Sequence, residues 1–175
     1  VTGRAIIVPT FLAPGYHVHV DLPAHIAESG HRDTFVTPSL GPDPELACAM
    51  RDRLLEVGWR RGDPVVMAAA GSSDPIARSE LHRAAAVLGD TVGDVHLGYI
   101  ATGTPRVVDV VRRSRTTTAR RIYIAPYLLA EGLFHTRLHE CGADAVAAPI
   151  GADHRVVSLV SARFTAAIAA QLHPV

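Results

Sequence analysis

The chain reads as an α/β protein, and three observations lead there. Short apolar runs of strand length alternate with longer stretches of helical period, the pattern of a parallel sheet covered by helices. Proline, glycine and helix-capping residues fall at the joints of that alternation. The pattern also repeats within the chain, at an interval of about 110 residues, close to domain size.

The first apolar run, AIIVPT at residues 5–10, reads as a buried strand. FLAPGYHVHVDLPAH follows at 11–25 and sets His17, His19 and His25 within nine residues, with His31 shortly after. Gly15 permits a tight turn, and Asp21 ahead of Pro23 reads as the N-cap of a helix. The histidines are then expected in the loop leaving a strand's carboxyl end. In extended backbone His17 and His19 point the same way, and His25 points elsewhere from within the helix. FVTPSLGPDPELACAMRDRLLE at 35–56 supplies a second strand and helix.

From residue 64 the alternation is clean. PVVMAAA (64–70) is a buried strand, and the helix over 73–89 starts at Ser73 or Asp74 with Pro75 in its first turn. DVHLGYIAT is a strand, TPRVVDVVRRSR a helix, RRIYIAPYLLA a strand, HTRLHECG a short helix ended by glycine, DAVAAPI the last strand and DHRVVSLVSARFTAAIAAQL the last helix. The segment before residue 60 resembles the back half of this unit. Pro9 and Gly15 answer to Pro126 and Gly132, and Pro38, Gly41 and Asp43 answer to Pro149, Gly151 and Asp153. The first copy holds only the third and fourth strands of the pattern. The expected organisation is therefore residues 1–62 as the second half of an N-terminal lobe and 63–175 as a complete C-terminal lobe. A half lobe has little core of its own. The chain is expected either to be an N-terminally shortened form, which its Val1 start fits, or to complete the lobe against another chain as a homo-oligomer.

Composition narrows the function. The 175 residues carry 17 basic and 17 acidic side chains, so no global charge recruits nucleic acid or an anionic membrane. The arginines of RRSRTTTARR (Arg112, Arg113, Arg115, Arg120, Arg121) read as a solvated helix end and loop. Cys48 and Cys141 match no metal or redox spacing and read as packing residues. No apolar run is long enough to span a bilayer and no signal peptide is visible, so the expected location is the cytoplasm.

Two motifs stand where open parallel sheets bind ligands, at the carboxyl ends of strands. Imidazole ligates late divalent metals and accepts protons near neutral pH. Taken alone, His19, His25 and His31 read as structural or solvated. AAAGSSDP opens a helix after a strand, where the backbone N–H groups of Gly71, Ser72 and Ser73 and the serine hydroxyls can hold phosphate or carboxylate; a simple capping turn is the competing reading.

Together these stretches resemble the sirohydrochlorin chelatases of the CbiX/SirB type, class II chelatases that insert Co2+ or Fe2+ into a modified tetrapyrrole. PTFLAPGYHVHVDLP is similar to that family's Pro-x-Phe-Leu-x-x-Gly-x-His-x-x-x-Asp-Ile/Leu-Pro, AAAGSSDP to its Gly-His-Gly-Ser-x-Asp-Pro, and APYLLAEGLF with APIGADHRVVSLVSARF to the end of its second lobe. The resemblance covers essentially the whole chain and implies a chelatase-like fold of two similar lobes, each a parallel sheet flanked by helices, with the first incomplete. It implies His17 as metal ligand and proton acceptor; His19, which the family pattern does not assign, is a candidate substitute for the second ligand. Gly71, Ser72 and Ser73 then face the substrate's carboxylates. The metal is a substrate, and no separate cofactor is implied. The family's other histidine, in Gly-His-Gly-Ser, has no counterpart here: Ala70 holds its place in the second copy, Phe134 stands opposite His17, and His135 lies one residue off register. That departure keeps a non-catalytic metal- or tetrapyrrole-binding relative open as the alternative.

Overall fold

The computed structural model describes residues 3–172. In chain order it contains β1 (Ala5–Ile7), a π-helical turn at His17–Asp21 running into α1 (Leu22–Glu28), β2 (Thr34–Val36), α2 (Pro44–Glu56), β3 (Val65–Gly71), α3 (Pro75–Val92), β4 (Val95–Thr102), α4 (Val107–Thr117), β5 (Tyr123–Tyr127), α5 (Leu133–Leu138), β6 (Ala145–Val146) and α6 (His154–Leu172). β1 and β2 form a two-stranded parallel sheet, and the other strands form a four-stranded parallel sheet in the order β4-β3-β5-β6. The α/β class expected from the alternation is thus the class observed.

The sheet of four is a buried layer because its side chains alternate between two apolar covers. Val65, Met67 and Ala69 of β3, with Tyr123, Ala125 and Tyr127 of β5, enter one core with α2 and α3. Val66, Ala68 and Ile124 enter the other, with Val107, Val110 and Val111 of α4 and Leu138 of α5. Each fully buried aliphatic side chain of this kind contributes about 1.5–3 kcal/mol relative to exposure. Asp74 caps α3 as expected, its carboxylate accepting from Ile76 N at 2.8 Å with Pro75 at the first helical position. Asp43 caps α2 in the same way, accepting from Glu45 N at 3.0 Å.

The first repeat does not build its own core. Its helix α2 lays Leu46, Ala49, Met50 and Leu54 onto the four-stranded sheet beside α3, so one apolar cluster joins residues on both sides of position 62. Ionic ties from α6 reinforce this: Arg155 meets Asp52 at 2.7 Å, and Arg163 meets the capping Asp43 at 3.5 Å. β1, expected to be buried, is only half-buried along its length. Among the described residues it has one neighbouring strand, and Phe35 and Val36 of β2 stay exposed. The two cysteines are free and half-buried, in accord with packing. The arginine run is exposed apart from its ties to the body: Arg115 pairs with Asp144 at 2.7 Å, and Arg121 lies over the Tyr123 ring. No described helix is long and apolar enough to cross a membrane.

Candidate active site

The histidine segment is helical where the sequence suggested an extended loop. Gly15 O accepts from Val18 N and His19 N at 2.9 and 3.0 Å, and residues 17–21 form a π-helical turn continuous with α1. Such turns recur at functional sites because they re-aim one side chain. Asp21 is therefore not the N-cap expected of it. Its backbone is already helical and its side chain caps nothing; its carboxylate lies 2.5 Å from His17 Nδ1, four residues back on the same turn. The expectation that His17 and His19 point the same way falls with the extended geometry. On a helical turn, residues two apart face nearly opposite sides. His19 is exposed and does not line the cavity that His17 lines. His25 is exposed, with Nδ1 on Asp21 O at 2.7 Å.

His17 is held by more than Asp21. The Phe11 ring stacks on it at 6.3 Å and the Tyr16 ring meets it edge-on at 6.3 Å, while its own side chain remains 75% exposed. A bond between Asp21 and Nδ1 fixes the ring and leaves Nε2 as the free nitrogen, the arrangement metal-binding histidines share. Gly15 explains how this turn reaches the rest of the molecule. A Cβ on Gly15 would sit 2.9 Å from Ala77 Cβ and 3.4 Å from Asp74 Oδ2, so only glycine lets the turn rest on the start of α3.

That contact brings the two sequence motifs together. A cavity of about 630 Å³ lies between the His17 turn and the carboxyl ends of β3, β4 and β5. His17, Gly71, Ser72 and Ser73 all line it, with Phe11 and Tyr127 among the other walls. Gly71 has φ +91°, and a Cβ there would fall 1.7 Å from Thr102 O, so this position is closed to any side chain. Ser72 Oγ accepts from Asp74 N at 3.0 Å, which leaves its O–H to donate outward. Ser73 is exposed, and its carbonyl accepts from Arg78 at 3.3 Å. The Tyr127 hydroxyl donates to Leu12 O at 2.8 Å and pins the strand of residues that carries His17 to β5. Burial first, then the Glu80 and Asp43 carboxylates, push the Tyr127 phenol well above its ordinary range, so it stays a neutral donor. Ala70 lines the cavity where the resemblance places a histidine. Among the described residues no three His, Cys, Asp or Glu side chains gather into a metal-holding group.

The sequence reading missed Asp21 as the partner of His17 and Tyr127 as the anchor of the segment. The four-residue spacing of His17 and Asp21 was the available signal, readable only if that stretch is taken as helical.

The arrangement presents one imidazole to an open cleft and sets the Ser72 hydroxyl, a hydrogen-bond donor, at the far rim. The CbiX family model matches residues 2–57 and 64–167. A sirohydrochlorin cobaltochelatase of Priestia megaterium is 26% identical over 146 residues, 77% of this chain and 48% of that one. A sirohydrochlorin ferrochelatase of the same organism is 24% identical over 145 residues, 78% of this chain and 54% of that one. The chain thus spans about half the length of the curated relatives it matches. SirB from Bacillus subtilis, solved with Fe3+, superposes with a TM-score of 0.83 at 20% identity over 94% of this chain and 71% of that one, a likeness of fold. A structure of CbiX described as the terminal enzyme of siroheme biosynthesis in denitrifying bacteria gives 0.74 at 26% identity over 94% of this chain and 76% of that one. With the family model covering most of its length and the fold agreeing, the chain belongs to the CbiX family.

Proposed function

We propose that this chain acts as a sirohydrochlorin-type chelatase, inserting Co2+ or Fe2+ into a tetrapyrrole in siroheme or cobalamin biosynthesis. The observation that carries the reading is the convergence of His17 with Gly71, Ser72 and Ser73 on one cavity of about 630 Å³ at the carboxyl rim of the sheet. The cavity is open and large enough for part of a flat macrocycle. The turn at Gly71–Ser73 and the N-terminal end of α3 offer donors to the macrocycle's carboxylates. The metal is a substrate. Insertion forms bonds from the metal to the pyrrole nitrogens and releases two pyrrole protons. His17, oriented through Asp21, presents Nε2 to the incoming metal; once the metal has passed to the ring nitrogens, the freed Nε2 takes one of the two protons and the other passes to water. Cytoplasmic location follows from this role in small-molecule biosynthesis. Residues 1–62 then form the second half of an N-terminal lobe; among the described residues β1 pairs with β2 alone, and a second copy of the chain is the partner proposed for its open edge.

The alternative is a metal- or tetrapyrrole-binding relative without turnover. Ala70 at the place of the family's second histidine favours it. An absorbance time course with sirohydrochlorin and Co2+ or Fe2+ separates the two. Conversion faster than the protein-free reaction, and lost in His17→Ala, supports the enzyme; tetrapyrrole binding without acceleration supports the relative. His19→Ala in the same assay decides whether a second imidazole comes from this turn. Light scattering on the eluted protein tests the pairing, and a folded monomer would overturn it.

A further inference from the structure

We propose that His135 and His139, at the end of α5 in the second repeat, form a separate binding point for a late divalent cation such as Ni2+, Co2+ or Zn2+. The two residues are four apart, so they stack on one side of the helical turn. Their ring centroids are 5.1 Å apart with the planes 78° from parallel. An ion held at 2.0–2.1 Å by one nitrogen of each ring lies about 3.2 Å from each centroid, which puts the centroids about 4.5–5.2 Å apart for octahedral to tetrahedral angles. The observed separation falls inside that range before any ion is added.

The tautomer is also set. His135 Nε2 lies 3.1 Å from Ala147 O, and since a carbonyl only accepts, Nε2 carries the proton. In the neutral ring that leaves Nδ1 with its lone pair. A ligating histidine that donates its other N–H to a backbone carbonyl is the usual supporting arrangement of metal sites. His135 is half-buried and fixed by this bond, whereas His139 is exposed and adjusts at little cost. Glu131 shares a hollow of about 250 Å³ with His135, and Glu140 follows His139; Arg137 is the one cation on the same turn. Two protein ligands leave the other positions to water, so the ion is exchangeable. Imidazole donors exclude Mg2+ and Ca2+ as the preferred ions.

This site does not depend on the chelatase reading, and its test uses metal alone. Calorimetric titration with NiCl2 is run on His17→Ala and on His17→Ala/His139→Ala, both checked for folding by circular dichroism. Retained Ni2+ binding in the first, weakened at least about tenfold in the second, is expected. Equal affinity in the two variants, or no Ni2+ uptake by His17→Ala, overturns the proposal. His139→Gln replaces His139→Ala should the latter fail to fold.

Discussion

β1 and β5 occupy corresponding places in the two repeats, yet Ala5–Ile7 are half-buried while Tyr123–Tyr127 are buried throughout. The aspartate ahead of the following strand shows the same contrast. Asp144 accepts from Ile122 N at 2.7 Å and pairs with Arg115 across side chains 28% and 42% exposed, whereas Asp33 pairs with Arg4 across side chains that are both more than half exposed. The difference comes from neighbours. β5 lies between β3 and β6 with helices on both faces; among the described residues β1 has β2 alone. A lone pair of strands is marginal. The first repeat is therefore held through α2, Tyr127 and the arginines of α6, all of which engage the second repeat or belong to it. The turn bearing His17 sits on this less buried part, where motion is cheaper and a ligand can enter.

The comparison breaks most readily at the core. Ile124→Ala is expected to cost about 4 kcal/mol, the range for a fully buried isoleucine, and Ile6→Ala about 1 kcal/mol, both read by urea denaturation. Equal losses would show that β1 is as well supported as β5. Tyr127→Phe comes next. It leaves Leu12 O without its donor, at about 1 kcal/mol, and amide exchange over residues 10–20 should quicken while β3 amides keep their protection. Uniform loss of protection would mean that the two repeats open as one unit.

The smallest effect concerns Asp144. The Arg115 bond, aided by Ile122 N and opposed by partial burial, holds its carboxyl below the usual carboxylate range. A carboxyl depressed in the folded state stabilises above its unfolded value, near 4, and that contribution is lost as the pH falls through the lower folded value. Asp144→Ala should therefore cost about 1 kcal/mol at pH 7, with the gap to the unaltered protein closing as the pH falls through the lowered folded-state value. Asp33→Ala should change little at either pH, because exposed pairs contribute little. A larger loss for Asp33 would reverse the ranking of the two repeats.

Much of this was legible in the chain. Alternating apolar runs placed β3 to β6 and their helices, most plainly β3 and β5, which lie in the middle of the sheet, are covered on both faces and carry continuous apolar sequence. Asp74 with Pro75 announced the start of α3, since capping is a local matter of one side chain and one N–H. Asp21 misled for the same reason: beside Pro23 it has the local signature of a cap, and only the π-helical turn before it shows the carboxylate to be engaged by His17. The histidine spacing, read as extended, assigned His19 a direction that the helical backbone does not allow.

The sequence by itself determined the α/β class, the repeat and the residues able to do chemistry, because periodicity, caps and motif composition are short-range properties. The tertiary structure decided which of them meet. Gly15 against Ala77, Gly71 against Thr102 and Tyr127 on Leu12 are contacts between segments far apart in the chain. They set His17 across one cavity from Ser72 and leave His19 outside it, and no local pattern encodes a distance between two distant turns.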